Sequence, residues 1–219
     1  SDSPKNRGDR AILAGNIELV RQVYPDAHIW SLSQYQDRDQ DWFGINFHPM
    51  SPYSVKPGDF FSLLSHARHA DLILWGGGEI LKDYTNKLGL FYWALKIWAV
   101  SLANPNVVGA FQGIGPTSAS ISKRVIAFTV GRCKAFLVRD AESKTKLESW
   151  GVKIPVVSSF DPAVFDAAVP MTTEIWDRFV EDQEVESHFL HNFAGFGLRR
   201  WFHYSHSGWL PAKFRFWAR

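Results

Sequence analysis

An α/β fold built on a mostly parallel, doubly wound sheet is what this sequence predicts, and three observations predict it. Short apolar segments alternate with helical stretches through the first 165 residues or so. The spacing between them suits right-handed crossovers. Each later apolar segment also runs straight into a loop holding glycine, arginine or aspartate that packing alone does not require. With 219 residues and 46% hydrophobic content, the chain is long enough for one large domain, or one domain and an appendage.

The elements follow in order. In "GDRAILAGNIELVRQVYP", Ile12, Leu13, Ile17, Val20 and Val23 share a stripe that closes at Pro25, which predicts a helix from about Asp9 to Tyr24 with Asp9 as its N-cap. "HIWSL" reads as a short strand. Residues 34 to 58 are polar, aromatic and punctuated by proline, which predicts a long loop. "FFSLLSHAR" is a short helix, and "DLILW" a fully apolar strand of the kind buried on both faces of a parallel sheet.

"LGLFYWALKIWAVSLA", residues 88 to 103, is apolar except for Lys96. Its length falls short of the roughly 20 residues that cross a bilayer, so a helix buried against the sheet is expected. "NVVGAFQGIGP" gives the next strand and loop, "SISKRVIAFTVGRC" a helix, and "KAFLVRD" a strand. "ESKTKLESWG" is a helix ending at Gly151, and "PVVSS" a last strand before "FDPAVF".

Charge is uneven along the chain. The first 186 residues carry 19 basic and 22 acidic groups, whereas residues 187 to 219 hold five basic residues and no acidic one. The mildly acidic body argues against a nucleic-acid groove. One cysteine excludes an internal disulfide framework, and the lack of a signal-peptide pattern favours a cytoplasmic setting, although the chain opens on "SDSPKN" without methionine.

In a doubly wound sheet ligands collect beyond the carboxyl ends of the strands, so the loops there hold the candidate site. Gly76, Gly77 and Gly78 follow "DLILW" and suit either a tight turn or backbone N–H groups facing a phosphate or carboxylate. Gly113 and Gly115 in "QGIGP" lead toward a helix whose N-cap is expected at Thr117 or Ser118. No G-x-G-x-x-G opens the first helix, which disfavours NAD. "VRDAES" sets Arg139 and Asp140 at a strand end with Ser143 close behind, either a structural pair at a helix start or an anion-binding fork. Asp161 in "FDPAVF" is either a turn former or a carboxylate facing the cleft.

Taken in order, "NRGDRAIL", "DLILWGGGEIL", "GAFQGIGP", "FLVRDAESKTKLESWGV" and "SSFDPAVF" resemble the polysaccharide pyruvyl transferase family over roughly residues 6 to 166. The resemblance implies a Rossmann-like fold, one half of a glycosyltransferase B architecture. It also implies transfer of the enolpyruvyl group of phosphoenolpyruvate onto sugar hydroxyls as a pyruvate ketal, in cell-envelope or exopolysaccharide biosynthesis. No cofactor or metal is implied beyond the donor substrate; the partners are phosphoenolpyruvate and a saccharide or lipid-linked sugar. Matched position by position, Asn6, Gly8, Gly76, Gly77, Gly78, Gly113, Gly115, Arg139 and Ser143 fall among the substrate-binding positions, with Asp9 and Asp140 as acid–base or orienting carboxylates. Arg139 is the first candidate for an anion contact.

Two domains are expected: residues 1–166 as the Rossmann-like unit and 167–219 as a helical linker with a basic aromatic tail. The family's second half carries G-x-R-x-H; "GLRRWFHYS" offers Arg200 and His203 as donor contacts, with altered spacing. The pairs His188/His191 and His203/His206 lack an accompanying Cys or carboxylate, which argues against zinc. The tail is expected to be a truncated or frame-altered remnant of the second domain, which either covers the open cleft or seeks a partner chain, as in a homodimer; a basic aromatic segment also suits peripheral contact with the inner membrane surface. A catalytically silent binding module is the alternative to the enzyme.

Overall fold

The computed structural model describes residues 7–84 and 87–165, all within the compact unit Ser1–Asp166. Helix α1 (Arg7–Val23) precedes strand β1 (Trp30–Ser33), α2 (Gln36–Phe43), β2 (Asn46–Pro49) and α3 (Pro57–Arg68). Then come β3 (Ile73–Gly76), α4 (Lys87–Ala103), β4 (Val107–Gln112), α5 (Ser120–Val130), β5 (Ala135–Val138), α6 (Ala141–Ser149), β6 (Val156–Ser158) and a 3-10 turn at Pro162–Phe165. All strand pairs are parallel: β1 with β2, and β3-β4-β5-β6 in chain order. Parallel strands alternating with helices make this a Rossmann-like α/β fold. Because chain order equals sheet order from β3 to β6, their following loops line up along one edge.

The core lies between the four-stranded sheet and its helices. Phe136 of β5, Ile97 and Val100 of α4, Ile126 of α5 and Leu147 of α6 are fully buried there. A smaller cluster joins Ile17 of α1 to Phe43, Ile45 and Phe47 around α2 and β2. Cys133 is buried in the main core, where burial pushes its thiol up to about 12 and keeps it protonated at neutral pH.

Four expectations are corrected. Residues 34 to 58 are not one long loop but contain α2 and β2. Helix α2, "QDRDQDWF", has little apolar content to mark it; tertiary contacts hold it instead. Its Asp39 is fully buried and accepts bonds from Arg10 Nη1 of α1 at 2.7 Å and Ser33 Oγ of β1 at 2.6 Å. Arg10 also lies over the rings of Trp42 and Phe43. Burial alone would raise the Asp39 carboxyl, but the Ser33 and Arg10 bonds and the Arg10 charge outweigh it and hold it below the usual range.

Second, α1 begins by Arg7, so Asp9 lies inside its first turn instead of capping it; there its charge still complements the helix dipole. Third, neither Thr117 nor Ser118 caps α5. Ala119 is at the N-cap and the work is done from a distance by Asp83, whose two oxygens accept from Ser118 N and Ala119 N at 3.0 Å each. The positive end of α5 is therefore already occupied by a carboxylate. Fourth, β3 is not buried on both faces: Leu74 is exposed, and among the described residues β3 pairs with β4 alone.

Replacing Asp83 by Ala should cost about 2 kcal/mol, the upper range for losing a cap, read as a lower urea midpoint at unchanged slope. For Asp83, burial would raise the carboxyl, and the Ala119 and Ser118 N–H groups override that and lower it. Asp39 and Asp83 thus hold protons less tightly folded than unfolded. Their stabilisation is present above the unfolded value of about 3.9 and is lost as pH falls through the lower folded values, so the Asp83→Ala difference should shrink in acid.

Candidate functional site

The chemistry-bearing loops meet where expected, beyond the carboxyl ends of β3 to β6. The centre is Arg139, directly after β5. Its guanidinium lies 3.5 Å from Glu79 Oε2, 3.7 Å from Asp140 Oδ2 and 3.8 Å from Asp161 Oδ2. Those carboxylates come from the loops after β3, β5 and β6, and the loop after β4 completes the set, because the guanidinium rests on Gly113. A Cβ at Gly113 would approach Arg139 Nε to 2.6 Å, so only glycine lets the side chain cross at this height. The three ion pairs are longer than a charge-assisted hydrogen bond of about 2.8 Å, so they centre the guanidinium electrostatically. About a third of the Arg139 side chain stays exposed.

The glycine loop has specific neighbours. Gly76 is crowded by Ala110 O and the Gln112 side chain, and Gln112 Nε2 donates to Trp75 O at 2.7 Å. Gly77, at φ 113°, faces Ile12 of α1; Gly78, at φ 68°, has open space where a Cβ would stand. Both angles lie in the left-handed region that side chains resist. Gly113 N donates to Gly78 O at 3.0 Å, Gly115 N to Leu81 O at 3.3 Å, and Leu81 bridges Ile114, so the two glycine loops run side by side. Gly115 is bare because the Glu79 carboxylate packs against it.

The "QGIGP" loop is also fastened to α6. Ser143 Oγ accepts from Ile114 N at 2.8 Å, and Lys146 Nζ donates to Ile114 O at 3.0 Å. Asp140 caps α6, accepting from Ser143 N at 2.7 Å. Burial would raise its carboxyl, but the bonds from Ser143 and the charge of Arg139 hold it low, so Asp140 is an ionised cap at neutral pH. Asp161 forms the expected turn, its Oδ1 accepting from Ala163 N at 3.1 Å, and its Oδ2 faces Arg139 at 3.8 Å.

Local backbone strain marks the same edge. Phe111 is the one described non-glycine residue at positive φ, 54°, and sits in the register shift where β4 meets β5. The buried Gln112 Oε1 beside it lacks a hydrogen-bond partner among the described residues.

Of the residues picked from sequence, Gly76, Gly77, Gly78, Gly113, Gly115, Arg139, Asp140 and Ser143 come together. Gly8 and Asp9 sit in the first turn of α1, one turn before the Ile12 that faces Gly77. Asn6, Arg200, His203 and the H-x-x-H pairs lie outside the described residues. Glu79 was missed, although an acidic residue at a strand end was its signal. Asp83 and Gln112 were also missed as structural supports. Among the described residues, no group of three His, Cys, Asp or Glu is placed to hold a metal.

The family model for polysaccharide pyruvyl transferase matches residues 6–211, further along the chain than the five motifs reach. No curated protein and no solved structure matches significantly.

Ser143 is buried, so Ser143→Ala should leave Ile114 N–H without its acceptor. A loss of about 1–3 kcal/mol in thermal unfolding is expected, with Ser143→Thr retaining part of it.

Proposed function

The chain belongs to the polysaccharide pyruvyl transferase family, and we propose that it moves the enolpyruvyl group of phosphoenolpyruvate onto two hydroxyls of a sugar. The observation that carries this reading is the Arg139 guanidinium, partly exposed and centred by three carboxylates at the meeting point of four strand-end loops. A small substrate bearing both a carboxylate and a phosphate suits a planar cationic fork in such a place.

The reaction sets the requirements. A proton adds to C3 of phosphoenolpyruvate, turning the methylene into a methyl; a sugar oxygen bonds to C2; the C2–O bond to phosphorus breaks and inorganic phosphate leaves. A second hydroxyl closes the ketal. Of the two hydroxyl protons, one balances that gained by C3 and the other departs with phosphate. The site must therefore hold an anion, stabilise positive charge developing at C2, and pass protons.

Arg139 takes the anionic end of the donor in this reading. Glu79 and Asp161, which face Arg139, hold negative charge near C2. Asp140, committed to the α6 cap, orients the arginine and is a poor proton donor because it stays ionised. Asp9, on the α1 face that carries Ile12, is the carboxylate proposed for proton transfer. Gly77 and Gly78 leave the floor of the site low. The acceptor is a saccharide or lipid-linked sugar of cell-envelope or exopolysaccharide synthesis, with no cofactor beyond the donor. A cytoplasmic setting, at the inner membrane surface when the sugar is lipid-linked, suits this reading.

A silent binding module is the second reading, favoured by one fact: the positive charge of Arg139 is already opposed by three carboxylates. Phosphate release from phosphoenolpyruvate in the presence of sugar acceptors decides between them. Arg139→Ala should lower kcat/KM at least about 100-fold, and Arg139→Lys, which keeps charge without the fork, should recover only part. No release by the wild-type chain, under conditions where an active member of the family releases phosphate, leaves the silent module standing.

A further inference from the structure

Helices α4 and α5 pack against each other on the four-stranded sheet. Their sheet-facing sides are ordinary core: Leu90, Ala94 and Ile97 on α4, Ile126 and Val130 on α5. What the transferase reading does not use is the other side. On α4, Leu88, Phe91, Leu95 and Leu102 are exposed, Leu88 by 79%; their spacing of three, four and seven keeps them on one stripe. On α5 the exposed stripe reads Ile121, Arg124, Phe128 and, just past the helix, Arg132. Soluble surfaces rarely expose this many large apolar side chains together.

The charge carried by the two helices themselves is one-sided. Residues 84 to 139 contain seven basic residues and no acidic one, although the first 186 residues together are net acidic. Only Lys96 of the seven is buried, its Nζ donating to Pro52 O and Ser54 O. Lys87, Arg124 and Arg132 are exposed beside the apolar stripes.

We propose that the exposed α4–α5 face docks on an anionic phospholipid surface, the apolar side chains entering the headgroup–acyl boundary while the basic residues meet lipid phosphates. Charge decides against a second copy as occupant. In a two-fold self-contact the same patch faces itself, so Arg124 and Arg132 would confront their own counterparts, and α4 and α5 themselves carry no acidic residue to pair with them. A bilayer, unlike a protein partner, also needs no matching pockets for side chains as different as Leu95 and Phe128. Among the described residues no helix is long and apolar enough to cross a membrane, so the contact is peripheral.

Vesicle flotation of the full chain tests this without donor or acceptor, so its outcome is independent of the transferase reading. The chain should float with phosphatidylcholine vesicles containing phosphatidylglycerol, and at least about fivefold less with phosphatidylcholine alone or in high salt. Leu95→Glu/Phe128→Glu should lower the bound fraction at least about fivefold, while Val23→Glu, an equally exposed site on α1, should leave it unchanged. Arg124→Gln/Arg132→Gln, which alters no apolar residue, should weaken binding to the anionic vesicles in the same direction and serves if the first variant fails to fold. Residues 167–219 are intact in every variant, so flotation undiminished by both pairs would mean another surface binds and would overturn the proposal. So would absence of wild-type flotation. A lipid-free dimer that becomes monomeric in Leu95→Glu/Phe128→Glu would likewise overturn it in favour of a protein interface.

Discussion

The packing of the Arg139 guanidinium on the bare backbone of Gly113 is the contact on which the site depends. It lets a side chain rooted after β5 cross the loop after β4 and reach carboxylates from the loops after β3 and β6. Four separate segments are thereby drawn to one cation. The pairs are long and partly solvated, so each is worth little alone; their value is positional, because three carboxylates from different directions leave the guanidinium one central place. A methyl group at residue 113 would lift the arginine away from all three.

The stability of that arrangement comes from elsewhere. The "QGIGP" loop is fixed by Ser143 and Lys146 of α6 and by the adjoining glycine loop, while Asp140 secures the start of α6. Asp83 does the same for α5. Both caps are carboxylates held low by backbone N–H groups and neighbouring polar groups, so the helix ends that flank the site are already neutralised. In the proposed reaction Arg139 meets the anionic end of the donor, set among carboxylates that would also stabilise a cationic carbon. The strained Phe111 and the Gln112 Oε1 that finds no partner among the described residues sit at the same strand end, where the fold tolerates a local cost.

The site edge and the α4–α5 face are opposite in character. Around Arg139 the near charges are mainly acidic; along α4 and α5 the exposed charges are all basic, and the space between them is apolar. One chain thus separates a charged edge built from loops from an apolar helix face that carries basic residues.

The sequence alone determined the alternation of strands and helices from β3 to β6, the parallel sheet it implies, and the loops that form the site. Those signals are local: apolar runs of strand length, glycines where a turn follows, an arginine and aspartate at a strand end. It also carried the family pattern in the order of its motifs. Helix α2 was not legible, because its residues are polar and the Arg10–Asp39 bond that helps bury it spans 29 residues of chain. The cap of α5 was misplaced for the same reason, since Asp83 stands more than 30 residues before the N–H groups it serves. Only the tertiary structure decided that Glu79 and Asp161 share one guanidinium, and why Gly113 must be bare. Such facts depend on which atoms meet across the sheet edge, and no local pattern in the chain encodes a distance between segments that folding alone brings together.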